Sequence, residues 1–471
     1  MDSSTLPILS QASESAERNG SSDPETMKQM VVLERDKIQE LKKTVPGMWR
    51  LPTNPDLCCI YRVPNCIREV NPKAYTPQLA VIGPLHHCLK SQAPKALGDV
   101  ANTKSMGYIN VEEHKKTYLA AFAQRVQGRK TIDEFRRIIE EDEAIIRASY
   151  SESTAWIKSP EFVEMILHDS VFIIEIMLRY SIIGPQRTGD PLMDEPCLEN
   201  TVKRDLMLLE NQLPYFILEK LFDPIVPLLR RDETLRTLVI SHFGLRKSNL
   251  KNNTKFRHFT DLYRSVRVDK FQKYDREVNY TFHMHNADKL YSKGVNFEVV
   301  KEEEEFFEEF SSVEVKFEHG CLKIPCFLAD DEVEITLRNI MALEQCHYPF
   351  NAYVCSYVVF LDFLVDNDKD VDLLVEKGII KHWNGHQGLV TKMINKLCVG
   401  VVDHGSYYSD LVKSVNDRYK HPFYNSFGVL RRVYFSNMWK GTATIAAICI
   451  LLLTLTQTVT SLIELLQKKK K

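Results

Sequence analysis

A chain of 471 residues exceeds what one hydrophobic core fills, since single cores stop growing at roughly 250 to 300 residues, so two lobes plus tails are expected. Hydrophobic residues at 44% and charged residues at 26% suit an ordinary globular protein, and a formal net charge of -2 supplies no field that would gather nucleic acid. Eleven scattered cysteines, whose closest pairs Cys58–Cys59 and Cys321–Cys326 lack C-x-x-C spacing, argue for reduced thiols and against a zinc knuckle or disulfide framework.

Residues 1–26 read as a disordered arm. Their only apolar patch, Leu6 to Leu9, is too short for the core of a secretory signal, and Ser, Glu and Asn cannot bury enough surface to offset chain entropy. A helical lobe is expected over 27–240. Asp23 as a cap, Pro24 at a first helical position and apolar Met27, Met30, Val31 and Ile38 open its first helix. Between Thr44 and Cys88, Pro46, Pro52, Pro55, Pro64, Pro72, Pro77 and Pro84 force extended or turning backbone. Tyr61, Val63, Tyr75, Leu79 and Val81 make that stretch an ordered loop. "VEEHKKTYLAAFAQR", "TIDEFRRIIEEDEAIIRASY" and "SPEFVEMILHDSVFIIEIMLRY" are helical by apolar period, the last with Pro160 just inside its start.

In "LLENQLPYF", Glu210, Asn211 and Gln212 interrupt an apolar run, and Pro214 is preset for the first turn of the helix that follows. Orphan carbonyls and amides concentrate where one helix ends and the next begins, and each costs about 1 to 3 kcal/mol if buried unpaired. The trio is therefore expected to hydrogen-bond a buried helix junction. Residues 241–310, polar and without clear period, read as a connecting region that ends in "KEEEEFFEEF".

Over 311–438 a β-hairpin and a second helical lobe are expected. Val313, Val315 and Phe317 alternate with polar residues, the chain turns near Gly320, and Leu322 and Ile324 return. Asp331 and Glu334, in capping-box spacing, start a helix that ends near Glu344 and Gln345. That ending echoes Met207 to Pro214: both place Glu and Gln at the close of an apolar helix shortly before a proline. Further helices cover "AYVCSYVVFLDFLVD", "KDVDLLVEKGII", "GLVTKMINKLCVG" and "YYSDLVKSVNDRYK".

Gly441 to Ile463 runs without a charge, and a helix of that length spans roughly 35 Å, enough for a hydrocarbon core of about 30 Å. Trp439 suits the headgroup region, and a basic tail closes residues 464–471. The lipid bilayer is thus an expected partner, through a single C-terminal transmembrane helix. Arg431, Arg432 and Lys440 before the span balance four lysines after it, so charge does not orient it. The missing signal core favours a cytosolic body, which glycans on Asn252 or Asn279 would contradict. Thr454, Gln457 and Ser461 recur on one face of the span, and two readings stay open: they pair helices, including a second copy, or bond to their own preceding turn.

Catalytic and metal templates do not fit. "DNDKDVD" from Asp366 lacks Gly at the sixth position of a calcium loop and Glu at the twelfth, so capping by Asp368 or Asp370 is expected instead. His168, Asp169 and Ser170 are consecutive on a helix and cannot line up as a triad. His283 with His285, His382 with His386, and His86 with His87 are pairs without a third ligand. No catalytic, cofactor-binding or metal-binding residue is expected, and no cofactor.

The blocks "IYRVPNCIREVNPKAYTPQLAVIGPLHH", "DLMLLENQLPYFILEKLF", "GCLKIPCFLADDEVEITLRNIMALEQC", "SYVVFLDFLVDNDKDVDLLVEKGII" and "LTLTQTVTS" together resemble the plant family called domain of unknown function 247, over roughly Met48 to Ile463. The resemblance implies a flowering-plant protein, mostly helical, with a C-terminal anchor and no established catalytic residues. Links of some relatives to self-incompatibility in grasses and to the plasma membrane imply recognition. Leu85 stands where the family often has an aromatic, Cys88 where Gly is common, and His168-Asp-Ser where Leu-Asp-Gly is usual. The expectation is a mainly α, multi-helix body in two lobes with one small β-hairpin and a membrane helix. It would act as an interaction or signalling component with an unknown protein partner, the alternative being a membrane-surface enzyme of unrecognised type.

Overall fold

The computed structural model describes residues 46–50, 54–93, 103–126, 129–182, 187–229, 233–245, 250–251, 254–268, 283–300, 312–383, 385–402, 405–421 and 438–468. The expected N-terminal arm, the helix after Asp23, the acidic run 301–310 and the sequons at Asn252 and Asn279 lie outside the described residues.

One helix organises the first half of the chain. In order come α1 (His87–Gln92), α2 (Thr103–Arg125), α3 (Arg129–Ala148), α4 (Ser159–Ile182), α5 (Pro196–Met207), α6 (Tyr215–Phe222), α7 (Leu235–His242) and α8 (Phe259–Val268). Every residue of α4 from Asp169 to Leu178 is buried. A helix buried on all sides belongs in the middle, and α2, α3, α6 and α7 pack around it. On α3, by contrast, Phe135, Ile139 and Ile146 face inward while Arg137 pairs with Glu134 and Glu141 at the surface.

The second half holds α9 (Ala287–Ser292), β1 (Asn296–Val299), β2 (Lys316–Glu318), β3 (Cys321–Ile324), β4 (Phe327–Ala329), α10 (Asp331–His347), α11 (Tyr353–Leu364), α12 (Asp368–Glu376), β5 (Ile380–His382), α13 (Gln387–Leu397) and α14 (Ser409–Lys420). The expected hairpin forms, with Phe317 opposite Leu322. His319 (φ 52°) and Gly320 (φ 79°) supply the two positive φ values that a two-residue turn needs. Two pairings go beyond that reading: β1 lies parallel to β3, and β4 parallel to β5. Such short strands carry no period of their own, and a parallel partner is distant in sequence.

The expected caps shift by one residue. Asp330, not Asp331, caps α10 by accepting the Val333 N–H at 2.7 Å, and Glu334 bonds Arg338 and Asn71 instead. Asn367 caps α12, with Asp370 completing a capping box.

The connecting region expected at 241–310 contains α8, buried at every residue except Tyr263. Its polar side chains misled the reading, because Thr260, Asp261 and Arg264 are buried with partners. Leu262 and Val266 complete the first core and Val268 opens the second, so the junction between halves is a core helix. A small third cluster reinforces it, where Val63, Ile67, Ala74 and Tyr75 of the Pro-rich segment meet Leu209, Ala342 and Leu343. There Asn339 of α10 donates to the Ala74 carbonyl at 2.8 Å and accepts the Leu209 N–H at 2.9 Å.

The last described element is α15 (Met438–Lys468). Its Trp439–Ile463 stretch is long and apolar enough to cross a membrane and is not buried against the body. All eleven cysteines are free thiols.

Replacing Asn339 with Leu leaves the Leu209 N–H and Ala74 carbonyl unpaired in a buried place, at about 1 to 3 kcal/mol each. Asn339→Leu should lower the thermal unfolding midpoint by several degrees; an unchanged midpoint would show that the two halves do not depend on this contact.

Candidate functional site: a buried polar junction

Residues 77–83, "PQLAVIG", belong to no helix or strand, yet Ala80, Val81 and Ile82 are fully buried. Buried backbone groups need partners. Here side chains supply them. The Asp205 carboxylate, just before the end of α5, accepts the N–H groups of Gln78 (2.9 Å), Leu79 (2.7 Å) and Ala80 (2.9 Å). Asn211 accepts the Ile82 N–H at 2.7 Å and donates to the Ala80 carbonyl at 2.8 Å. Asp169 of α4 accepts the Gly83 N–H at 2.8 Å, and Lys115 of α2 donates to the Val81 carbonyl at 2.6 Å. Gly83 has φ +69°, and a Cβ there would stand 2.7 Å from the Gln212 carbonyl oxygen, so only glycine fits.

The expected trio is brought together by this segment. Glu210 accepts the Val63 N–H at 2.7 Å and pairs with Arg62 at 2.8 Å, with Arg68, and with His86 at 3.1 Å. Burial alone would raise its carboxyl, but His86, Arg62 and Arg68 outweigh that and hold it at about 2. Gln212 donates to the Leu206 (2.6 Å) and Leu208 (2.8 Å) carbonyls and accepts the Phe259 N–H at 2.9 Å, tying the end of α5 to the start of α8.

A second charge group lies beside the first. Lys115 (2.6 Å) and Lys90 (3.2 Å) both reach Asp169, and Glu112 pairs with each lysine. Burial pushes the Asp169 carboxyl up, yet the two ammonium groups bring it below its ordinary value. Two cations face two anions, so the group is neutral. Asp205 sits apart from such cations: burial drives it up to about 6, against the three N–H groups that pull it down.

Glu344 repeats the role of Glu210 one core away. It accepts the N–H groups of Val354 (3.2 Å) and Cys355 (2.8 Å) and pairs with Arg264 at 2.9 Å. Gln345 departs from that pattern: it is half-buried and exchanges two 2.9 Å hydrogen bonds with the Val402 backbone. On α15, Thr454 donates to the Ile450 carbonyl at 2.8 Å, while Gln457 and Ser461 are exposed.

Asp169 is engaged by two lysines and Gly83, so it orients neither His168 nor Ser170. His285 packs against Tyr419 and meets His283 edge-on, and no group of three His, Cys, Asp or Glu is placed to hold a metal ion among the described residues. Asp370 accepts the N–H groups of Asp366, Asn367 and Asp288. Sequence reasoning passed over Arg62, Arg68, Lys115 and Asp205, and weighed Asp169 only as a triad member. Their only local signal is an acid inside an apolar run, as in "LHDSVFIIEIML", which demands a buried cation or N–H partner.

The family model for plant proteins of unknown function, DUF247, matches residues 60–453, a range that holds the whole junction and enters α15. The UPF0481 protein At3g47200 of Arabidopsis thaliana is 26% identical over 447 residues, covering 88% of this chain and 88% of its own length. A second Arabidopsis thaliana UPF0481 protein, At3g02645, is 26% identical over 171 residues, covering 34% of this chain and 26% of its own. No solved structure matches the chain.

Asn211→Leu strips partners from the Ile82 N–H and the Ala80 carbonyl and should lower the unfolding midpoint by several degrees, read by calorimetry; an unaltered midpoint would contradict the structural role. Glu210 titrates at about 2 in the fold against an ordinary 4.5, so its contribution is complete above pH 5 and lost as pH falls toward 2. Urea unfolding should therefore weaken across that window, and Glu210→Gln should be less stable at pH 7 with a flatter acid dependence.

Proposed function

The chain belongs to the DUF247 family of plant proteins of unknown function, and from that premise we propose that it is a membrane-anchored recognition or signalling component that works by binding a protein partner. The observation that carries the reading is α15. Leu451, Leu453 and Leu455 are each about two-thirds exposed, and none of the described residues covers the apolar stretch around them. Apolar surface left in water costs roughly 25 cal/mol per Å², and a bilayer removes that cost along the whole helix.

On this reading the body stands in the cytosol at the plasma membrane. Binding rather than catalysis is supported by the junction, whose charges are consumed in holding the backbone. Phe350 and Trp49, each 79% exposed, offer the amphipathic contact area that interfaces use.

Full-length protein made in plant cells should stay in the membrane pellet through a carbonate wash and enter the detergent phase on phase separation. Recovery in the aqueous fraction would sink the anchor, and glycans on Asn252 or Asn279 would reverse the orientation.

A further inference from the structure

Resting on the anchor reading above, we infer that α15 pairs with α15 of a second copy of this chain through Gln457. The threonines of the helix satisfy themselves. Thr454 donates to Ile450 (2.8 Å), Thr456 to Leu452 (3.0 Å), Thr458 to Thr454 (2.7 Å), and Thr460 to Thr456, all carbonyls one turn back. Gln457 does not. Among the described residues its amide has no hydrogen-bond partner, although it carries two donors and an acceptor.

Its depth removes water as an alternative. At about 1.5 Å per residue, Gln457 lies roughly 9 Å inside the Ile463 end of the span. Helical side chains lean toward the helix N-terminus, which here is toward the middle of the bilayer, so the amide points away from the nearer headgroups. A polar group in hydrocarbon without a partner is costly, and no loop or edge is available there to supply one.

A second copy answers this geometry. Chains inserted by the same route are parallel, so both Gln457 residues lie at one depth, and each amide can donate to the oxygen of the other about a two-fold axis. The face around it permits the approach. Ala443, Ala447, Ile450, Thr454, Gln457 and Ser461 recur at alternating steps of four and three, the seam spacing of paired helices, and all but Ile450 and Gln457 are small. Leu452, Leu455, Val459 and Leu462 crowd the other side. Thr454 therefore contributes shape to the seam, its hydroxyl being already closed on Ile450.

Sedimentation equilibrium of the full-length chain in detergent micelles, across protein-to-detergent ratios, tests this. The wild type should be a dimer, Gln457→Leu should weaken it by about 3- to 25-fold, Gln457→Asn should restore part of the loss, and Leu455→Ala should change nothing. A micelle-bound monomer, or a dimer equally tight in Gln457→Leu, overturns the pairing and leaves the anchor standing. A chain that does not enter the micelles overturns both.

Discussion

A stretch of buried backbone without a ladder is the constraint on which the rest of the body depends. Residues 77–83 pass between α2, α4 and the end of α5 with no strand alongside, so their N–H and carbonyl groups must be met by side chains. That requirement explains why acids, an amide and a lysine sit inside a core where apolar residues would otherwise be favoured. It also explains Gly83, where any Cβ would collide with the Gln212 carbonyl.

Bringing those anchors inside creates a second problem, which the surrounding cations solve. Glu210 and Asp169 are fully buried carboxylates, and each is bracketed by two basic side chains. Buried ion pairs of this kind add little net stability over apolar packing, but losing one partner strands the other at several kcal/mol. Their effect is to fix one register of the Pro-rich segment against the helices. Through Asn339 and the Val63–Leu343 cluster, the same register sets how the two cores meet, with α8 running from one to the other.

Polar groups follow one rule in the body and in α15, and their surroundings give it opposite results. In the body the junction carboxylates and amides find partners within the chain, although a few buried groups such as Ser170, Tyr215 and His242 are left without one among the described residues. On α15 the threonine hydroxyls close on their own turn while the Gln457 amide is left over, in a helix whose apolar surface asks for lipid.

Helices α3 and α4, the hairpin at Gly320 and the apolar span were legible in the sequence, because period, turn residues and length are local signals. The trio at 210–212 was legible as a junction for the same reason: polar groups at a helix end have few alternatives. Its partners were not, since Arg62 lies 148 residues from Glu210 and Asn339 lies 130 from Leu209. Within region 241–310 the buried helix α8 was not legible, because composition counts polar residues without showing that α8 buries them in pairs. Sequence by itself determined the helical class, the family and the membrane-length helix; the tertiary structure alone decided which charges meet and which backbone they hold, because those contacts exist only after distant segments have been packed together.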